Sequence, residues 1–412
     1  MTVDLDYTRR SRWPDKRLPL DFGAAATFDQ GGHRARRPLR ITIVHCNGHG
    51  ALVGGFRMIA DYAEALRSAG HSVTLISPKP ARERLFGGPW RRLPLYRKAQ
   101  LQDDFLRGRG LNNIVLDRTG PLAAADLPDA DIVMATWWET AEWVRALPPA
   151  KGRKIHFVQG YEMFDYLPLD RVRAVLDDPM PKILVAPWLE RILREEHGAT
   201  DVTVVPNAVD TTRFVPPTRD GIPEPRFGLL FSKTPIKNMP LARSAFDLAR
   251  RGRSDLSFIS FGATAPGADE LTALERFALR PPQAEIPSLY GACRAWLLPS
   301  TSEGFGLPIL EAMACGTPVI STAVGAAPDI IDGTNGIIVD AQPQAFAMQI
   351  RRFADMPAAE WLMMSKRARA TAERFSRKGG GRSFEQAVRQ LAQRGEGSAA
   401  SPAPRQELTE PA

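Results

Sequence analysis

Cysteine is scarce: three residues in 412, at Cys46, Cys293 and Cys315, far apart and odd in number. That excludes a disulfide-stapled scaffold and a clustered thiolate metal site. Histidine is equally thin, six residues dispersed along the chain, so no ligand spacing for a metal ion emerges. No stretch approaches the roughly 20 consecutive apolar residues that a membrane-crossing helix needs. The first forty residues hold no apolar core of the kind a signal peptide carries. A cytoplasmic protein is expected from these absences. Repeats of short period are also missing.

What is present suits a packed globular chain. Hydrophobic residues make up 44% and charged residues 24%, and the length suits two domains rather than one core. The formal charge of +8 is compatible with anionic substrates, an anionic lipid surface or nucleic acid. Part of it lies in an N-terminal arm with Arg9, Arg10, Arg12, Lys16 and Arg17. Another part lies between Lys79 and Arg109. Residues 82–98 mix six basic residues with Leu85, Phe86, Trp90, Leu93, Leu95 and Tyr96. That composition suits either peripheral docking on anionic lipid or a basic flap over a site. No recognised nucleic-acid module accompanies the charge, so nucleic acid is not expected as a partner.

Residues 1–38 show no sustained period and read as an irregular arm. A short β-branched run, Arg40 to Cys46, then predicts a buried strand. A glycine-rich turn with Gly54-Gly55 follows, then a helix through Met58, Ile59, Tyr62, Ala63 and Leu66, closed at Gly70. Ser72–Ser77 is the next strand, which completes a βαβ unit and indicates a parallel sheet. Further strands are expected at 132–135, 154–158, 183–185 and 202–205, with a helix over 188–197. After Pro206-Asn-Ala-Val-Asp210 the pattern restarts. Strands at 227–231, 257–261, 295–298 and 318–321 alternate with a helix over 240–250 and one opening near Pro308. Two such arrays predict an α/β chain of two Rossmann-like domains facing each other across a cleft. From Gly395 the composition is that of a disordered tail.

The segment Pro299 to Ser321 carries the chemistry. A strand ends at Leu298, and the two glycines of Glu303-Gly-Phe-Gly-Leu-Pro308 let backbone approach a ligand. Pro308 fits the first helical turn and Gly316 lies past its end. Amides around Phe305, Gly306, Leu307 and Ile309 then lie at the positive end of a helix aimed at the cleft. Glu303 precedes the turn and Glu311 lies one turn inside the helix, both placed to accept hydrogen bonds from one bound molecule's hydroxyls.

This segment, with Glu-Ala-Met-Ala-Cys-Gly-Thr-Pro-Val-Ile after the turn, resembles the family 4 glycosyltransferases of GT-B fold, and the resemblance spans roughly residues 40–393. It implies an enzyme moving a sugar from a nucleoside-diphosphate sugar to an acceptor, with retention of configuration and with no metal or other cofactor. By that resemblance Glu303 contacts the donor sugar, Glu311 contacts the ribose, and Phe305, Gly306 and Leu307 hold the sugar and phosphates. Residues 39–205 become the acceptor-binding domain, 206–372 the donor domain, and 373–394 a helix crossing back to brace the first domain. Base recognition is expected near Pro281–Ile286.

Three further segments complete the candidate site. Phe231 to Asn238 ends a strand and brings Lys233 and Lys237, cations suited to a departing diphosphate. Lys233 stands where the family has arginine, and a lysine lacks the two-pronged contact. Asn238 follows Lys237 in the donor-binding set. Gly54 and Gly55 resemble the family's glycine turn beneath the diphosphate. Phe157-Val-Gln-Gly-Tyr-Glu-Met-Phe164 resembles a segment of the family's bacterial rhamnosyltransferases and offers Gln159, Tyr161 and Glu162 on the acceptor or sugar side. Trp137, Trp138 and Glu139 read either as a sugar platform or as core. Two carboxylates on one loop–helix unit do not suit a glycoside hydrolase, which needs them across the sugar. An epimerase or phosphorylase of the same fold, and a non-catalytic binding subunit, stay open beside the transferase.

Overall fold

A computed structural model of the protein describes residues 37–46, 54–79, 95–267 and 276–394. The basic arm, the turn before Gly54, most of the basic segment 82–98 and the tail from Gly395 lie outside the described residues. Residues 37–394 form the body described below.

The first array begins with β1 (Arg40–Val44), α1 (Gly54–Ser68), β2 (Ser72–Ser77), α2 (Leu95–Gly108) and β3 (Asn112–Val115). It continues with β4 (Ile132–Ala135), α3 (Trp138–Arg145), β5 (Arg153–Val158), α4 (Leu169–Leu176), β6 (Lys182–Leu184), α5 (Pro187–His197) and β7 (Val202–Val204). Its seven strands are all parallel, in the order β3-β2-β1-β4-β5-β6-β7. The central strands are largely buried, as a parallel sheet covered on both faces requires, with His156 and Lys182 among their buried residues. Val44, Ile76, Val133, Ala135, Val144 and Val175 lie in one buried cluster between strands and helices.

The second array holds β8 (Arg226–Leu230), α6 (Met239–Arg250), β9 (Ser257–Gly262), β10 (Arg276–Leu279), α7 (Ile286–Gly291) and β11 (Ala295–Leu298). After these come α8 (Leu307–Ala314), β12 (Val319–Ser321), α9 (Ala327–Ile330), β13 (Gly336–Ile338) and α10 (Pro343–Ala354). The order is β10-β9-β8-β11-β12-β13, again all parallel. Its core is richer in aromatic residues, with Phe227, Phe246, Phe258, Phe346, Phe353 and Trp361 buried together. The sequence reading of two Rossmann-like domains matches this architecture.

Strand order reverses between β1 and β4 in the first sheet and between β8 and β11 in the second. In such sheets ligands bind outside the carboxyl ends of the strands at the switch point. The loops leaving β1, β8 and β11 lead to Gly54, Lys237 and Glu303, so these three sit at the switch points, whereas Gln159, Tyr161 and Glu162 follow β5.

Two last helices, α11 (Ala358–Arg374) and α12 (Arg377–Arg394), return the chain to the first domain. The Tyr62 ring stacks on Phe384 of α12 with centroids 4.1 Å apart and planes 6° from parallel. Phe157 of β5 meets the same ring edge-on at 5.2 Å. Where the chain leaves one domain and re-enters it, Val209 and Ser376 form a parallel bridge.

Candidate functional site

Glu303 ends the loop that leaves β11. The loop is fixed on the neighbouring strand's exit by the Thr301 amide, which donates to the Ile236 carbonyl at 2.8 Å. Pro235–Lys237 is a single tight turn, and Asn238 leaves it in the left-handed region (φ 49°, ψ 50°) to start α6. Asparagine tolerates that conformation better than most side chains. The result is that Lys237 Nζ donates to Glu303 Oε1 at 2.6 Å, and Ser300 Oγ donates to the same oxygen at 2.7 Å. Lys233 is exposed at the outer end of this loop. Asn238 acts here through its backbone carbonyl, which accepts from the Leu241 amide at 3.2 Å.

Gly306 opens α8 with φ 94°, a conformation that favours glycine, and Pro308 occupies the first turn as expected. The amides of Phe305, Gly306 and Leu307 lie at the positive end of α8. Ile309 departs from the sequence reading. Its amide donates to the Gly306 carbonyl at 2.9 Å and is used inside the helix turn. Phe305 is buried, and its carbonyl accepts from Ala326 at 2.9 Å.

Glu311 is buried at the domain junction with both carboxylate oxygens engaged. Tyr290 donates its hydroxyl to Oε2 at 2.7 Å, and Arg57 of α1 donates to Oε1 at 2.7 Å from the opposite domain. Burial and the Glu311 charge hold the Tyr290 hydroxyl well above its usual range, so it stays a donor. The carboxylate in turn raises the Arg57 guanidinium. A second Arg57 nitrogen reaches Gln283 Oε1 at 3.4 Å, in the stretch expected to face the base. Sequence reasoning missed Arg57, Tyr290 and Gln283. Arg57 carried one signal, its place three residues after Gly54, one turn into a helix that starts at the cleft.

Three loops converge where the domains meet. A Cβ at Gly54 would lie 3.0 Å from Leu307 Cδ1, and one at Gly55 would lie 3.2 Å from Gln159 Oε1. A Cβ at Gly304 would sit 2.0 Å from the Gln159 carbonyl oxygen, so only glycine fits there. Trp188 at the start of α5 donates its indole N–H to the Gly304 carbonyl at 2.8 Å. The Gln159 side-chain oxygen is buried with no protein partner. Beside this junction a cavity of about 240 Å³ is lined by Arg57, Asp61, Arg213, Gln283, Leu307 and Glu311, among others.

The acceptor-side trio is divided by the structure. Gln159 faces the junction. Tyr161 instead turns its hydroxyl along α5, donating to Glu196 at 3.0 Å and meeting His197 Nε2 at 3.1 Å. Glu162 is buried, and its Oε2 accepts the Trp138 amide at 2.7 Å at the start of α3. Burial pushes its carboxyl up to about 8. Trp138 and Glu139 are buried, the Trp138 ring beneath the Arg171 guanidinium at 5.1 Å, so Trp138 packs as core.

Residues 227–356 match the family model described as glycosyl transferases group 1. A D-inositol 3-phosphate glycosyltransferase of Arthrobacter sp. (strain FB24) is 34% identical over 184 residues, 38% of this chain and 42% of that one. The O-antigen chain mannosyltransferase B of Escherichia coli is 48% identical over 59 residues, 14% of this chain and 15% of that one. The chain thus spans less than half the length of these curated relatives. Among solved structures, sucrose-phosphate synthase from Thermosynechococcus elongatus aligns with a TM-score of 0.63 at 19% identity, covering 86% of this chain and 99% of that one. Anabaena HepE in complex with UDP-glucose aligns at 0.65 with 15% identity, covering 87% of this chain and all of that one. At such identities the likeness is one of fold.

Proposed function

We propose, for a chain whose residues 227–356 belong to the group 1 glycosyl transferases and whose fold is GT-B, that it transfers a sugar from a nucleoside-diphosphate sugar to an acceptor hydroxyl. One observation carries this reading. Two carboxylates able to take sugar and ribose hydroxyls, Glu303 and Glu311, share one loop–helix unit, with Lys237 bonded to the first and α1's glycine start facing them. The crystallised HepE complex contains UDP-glucose, which supports a nucleotide sugar as the co-substrate.

In this reading the donor's diphosphate lies between Lys237, the positive end of α8 and the start of α1. The anomeric carbon–oxygen bond to phosphate breaks as the acceptor oxygen bonds to that carbon on the same face. The acceptor proton passes to the leaving phosphate oxygen. Lys237, Lys233 and the helix ends stabilise the growing negative charge, so cationic side chains and amides do this work without a resident ion. Glu162 does not serve as base, because burial keeps it protonated at neutral pH and it holds the Trp138 amide.

A thermal-shift screen with UDP, GDP, dTDP and ADP tests the reading. A ligand at 100 times its dissociation constant adds about 2.7 kcal/mol to native stability. We expect one nucleotide to stabilise the protein and Glu303→Ala to weaken the matching nucleotide sugar more than the bare nucleotide. Stabilisation by none of the four would overturn the proposal in favour of a binding subunit that uses the fold without the donor.

A further inference from the structure

The site contains two ion pairs of the same design. Lys237 is bonded to Glu303 and Arg57 to Glu311, each pair joining a cation suited to phosphate with a carboxylate suited to hydroxyls. The first pair lies within one domain, whereas the second crosses the junction between residues 254 positions apart.

We infer that Arg57 is a diphosphate-binding residue supplied by the N-terminal domain, exchanging its bond to Glu311 for the donor's phosphate oxygens when the ribose hydroxyls take that carboxylate. The inference rests on the proposed donor site and adds a residue and a step to it.

Three observations support the exchange. Arg57 lies one turn inside α1, and helical side chains lean toward the N-terminus, here toward Gly54 and the cleft. The long arginine side chain can cover about the 5.4 Å rise of that turn, so Glu311 and the start of α1 are both within its reach. Of the two groups on Glu311, Tyr290 is fixed in the core of its own domain, leaving Arg57 as the partner able to move. The Arg57 Nε is buried with no partner, so the guanidinium is incompletely satisfied in its present place. The exchange leaves no hydrogen-bonding group unmet: ribose hydroxyls donate to Glu311 in place of Arg57, while Arg57 takes the phosphate as its new counter-charge.

The exchange predicts opposite effects on two halves of the ligand. Calorimetric titration of wild type, Arg57→Ala and Arg57→Lys with UDP, GDP, dTDP and ADP, and with the matching nucleosides, reads both. In Arg57→Ala the nucleoside diphosphate should weaken by about tenfold or more, the loss expected of one charge-assisted bond. The nucleoside should bind at least as well as to wild type, since Glu311 is released. Arg57→Lys, which keeps the charge without the fork, should recover part of the diphosphate affinity. If diphosphate and nucleoside weaken by the same factor, or neither changes, Arg57 only ties the domains together and the exchange is wrong while the donor site stands. If wild type binds none of the diphosphates, donor site and exchange fall together.

Discussion

Glu162 accepts the Trp138 amide, and its burial ties the stability of the first domain to pH. Its folded carboxyl titrates at about 8, against an ordinary glutamate value near 4.5, and burial is the cause. Between those values the folded state holds a proton that the unfolded chain releases. The stabilising contribution is therefore full below about 4.5 and is lost as pH rises through about 8. Glu162→Gln keeps the acceptor for the Trp138 amide and removes the titration. Its melting temperature should equal or exceed that of wild type at pH 8, by an amount on the order of a few kcal/mol in stability, and the gap should close near pH 5. A constant gap across that range would show that Glu162 does not titrate. At this scale the sequence was legible where function lies within one segment. Glu303, Lys237 and Gly306 stand in short runs, and the structure bonds Lys237 to Glu303 and opens α8 at Gly306. For Tyr161 and Glu162 the sequence showed residues near a sheet edge, but a strand end does not show which way each side chain turns. His197, Glu196 and the Trp138 amide, which claim them, come from other elements.

Elements with apolar, β-branched runs were readable to within a residue or two. The strands Ser72–Ser77, Ile132–Ala135 and Ala295–Leu298 have the expected bounds, and each is largely buried. β3, β10 and β13 were not foreseen. They lie at sheet edges, run three or four residues, and are only partly buried, so selection for an apolar run is weak there. The glycine-rich form of the loop from Leu298 to α8, with Gly306 opening the helix, was legible in the sequence. Its approach to the other domain was not, since nothing local marks Gln159 as the neighbour of Gly304. That contact gives a sharp test. Gly304→Ala places a methyl against the Gln159 carbonyl, where both partners are backbone and neither can move cheaply. Gly160→Ala makes only an ordinary contact, 3.6 Å from the Gly304 Cα. We expect Gly304→Ala to reduce nucleotide-sugar turnover by roughly tenfold to a hundredfold, as displaced catalytic geometry does. Gly160→Ala should stay near wild type. Equal losses in kcat/KM for both variants would mean that the loop contact is unimportant.

At the scale of the whole molecule, α12 is the element that joins the two halves. The resemblance predicted that residues 373–394 cross back, but the partners of that helix are invisible in sequence because they lie far along the chain, as Glu64 does from Arg377, 313 positions away. Two kinds of contact hold it. At the rim, Arg377 reaches Glu64 at 2.6 Å and Asp61 at 3.2 Å, and Arg109 shares both carboxylates. About a third of the Arg377 side chain is exposed, so solvent screens these pairs, and losing them costs about 1 kcal/mol. In the centre, Phe384 is buried between Tyr62 and Phe157. A buried phenylalanine cut to alanine costs about 3–5 kcal/mol. Tyr62 lies on α1 with Gly54 and Arg57, and its hydroxyl donates to the Pro206 carbonyl at the start of the interdomain link. Loosening Phe384 therefore loosens α1, which carries Gly54 and Arg57, as well as the link between the domains that Tyr62 holds. Phe384→Ala should lower the melting temperature more than Arg377→Ala and, below its own melting point, weaken nucleotide binding although no ligand touches Phe384. A Phe384→Ala protein that melts early but binds nucleotide with wild-type affinity would show that α12 supplies stability alone, and that α1 keeps its place through Arg57 and Glu311.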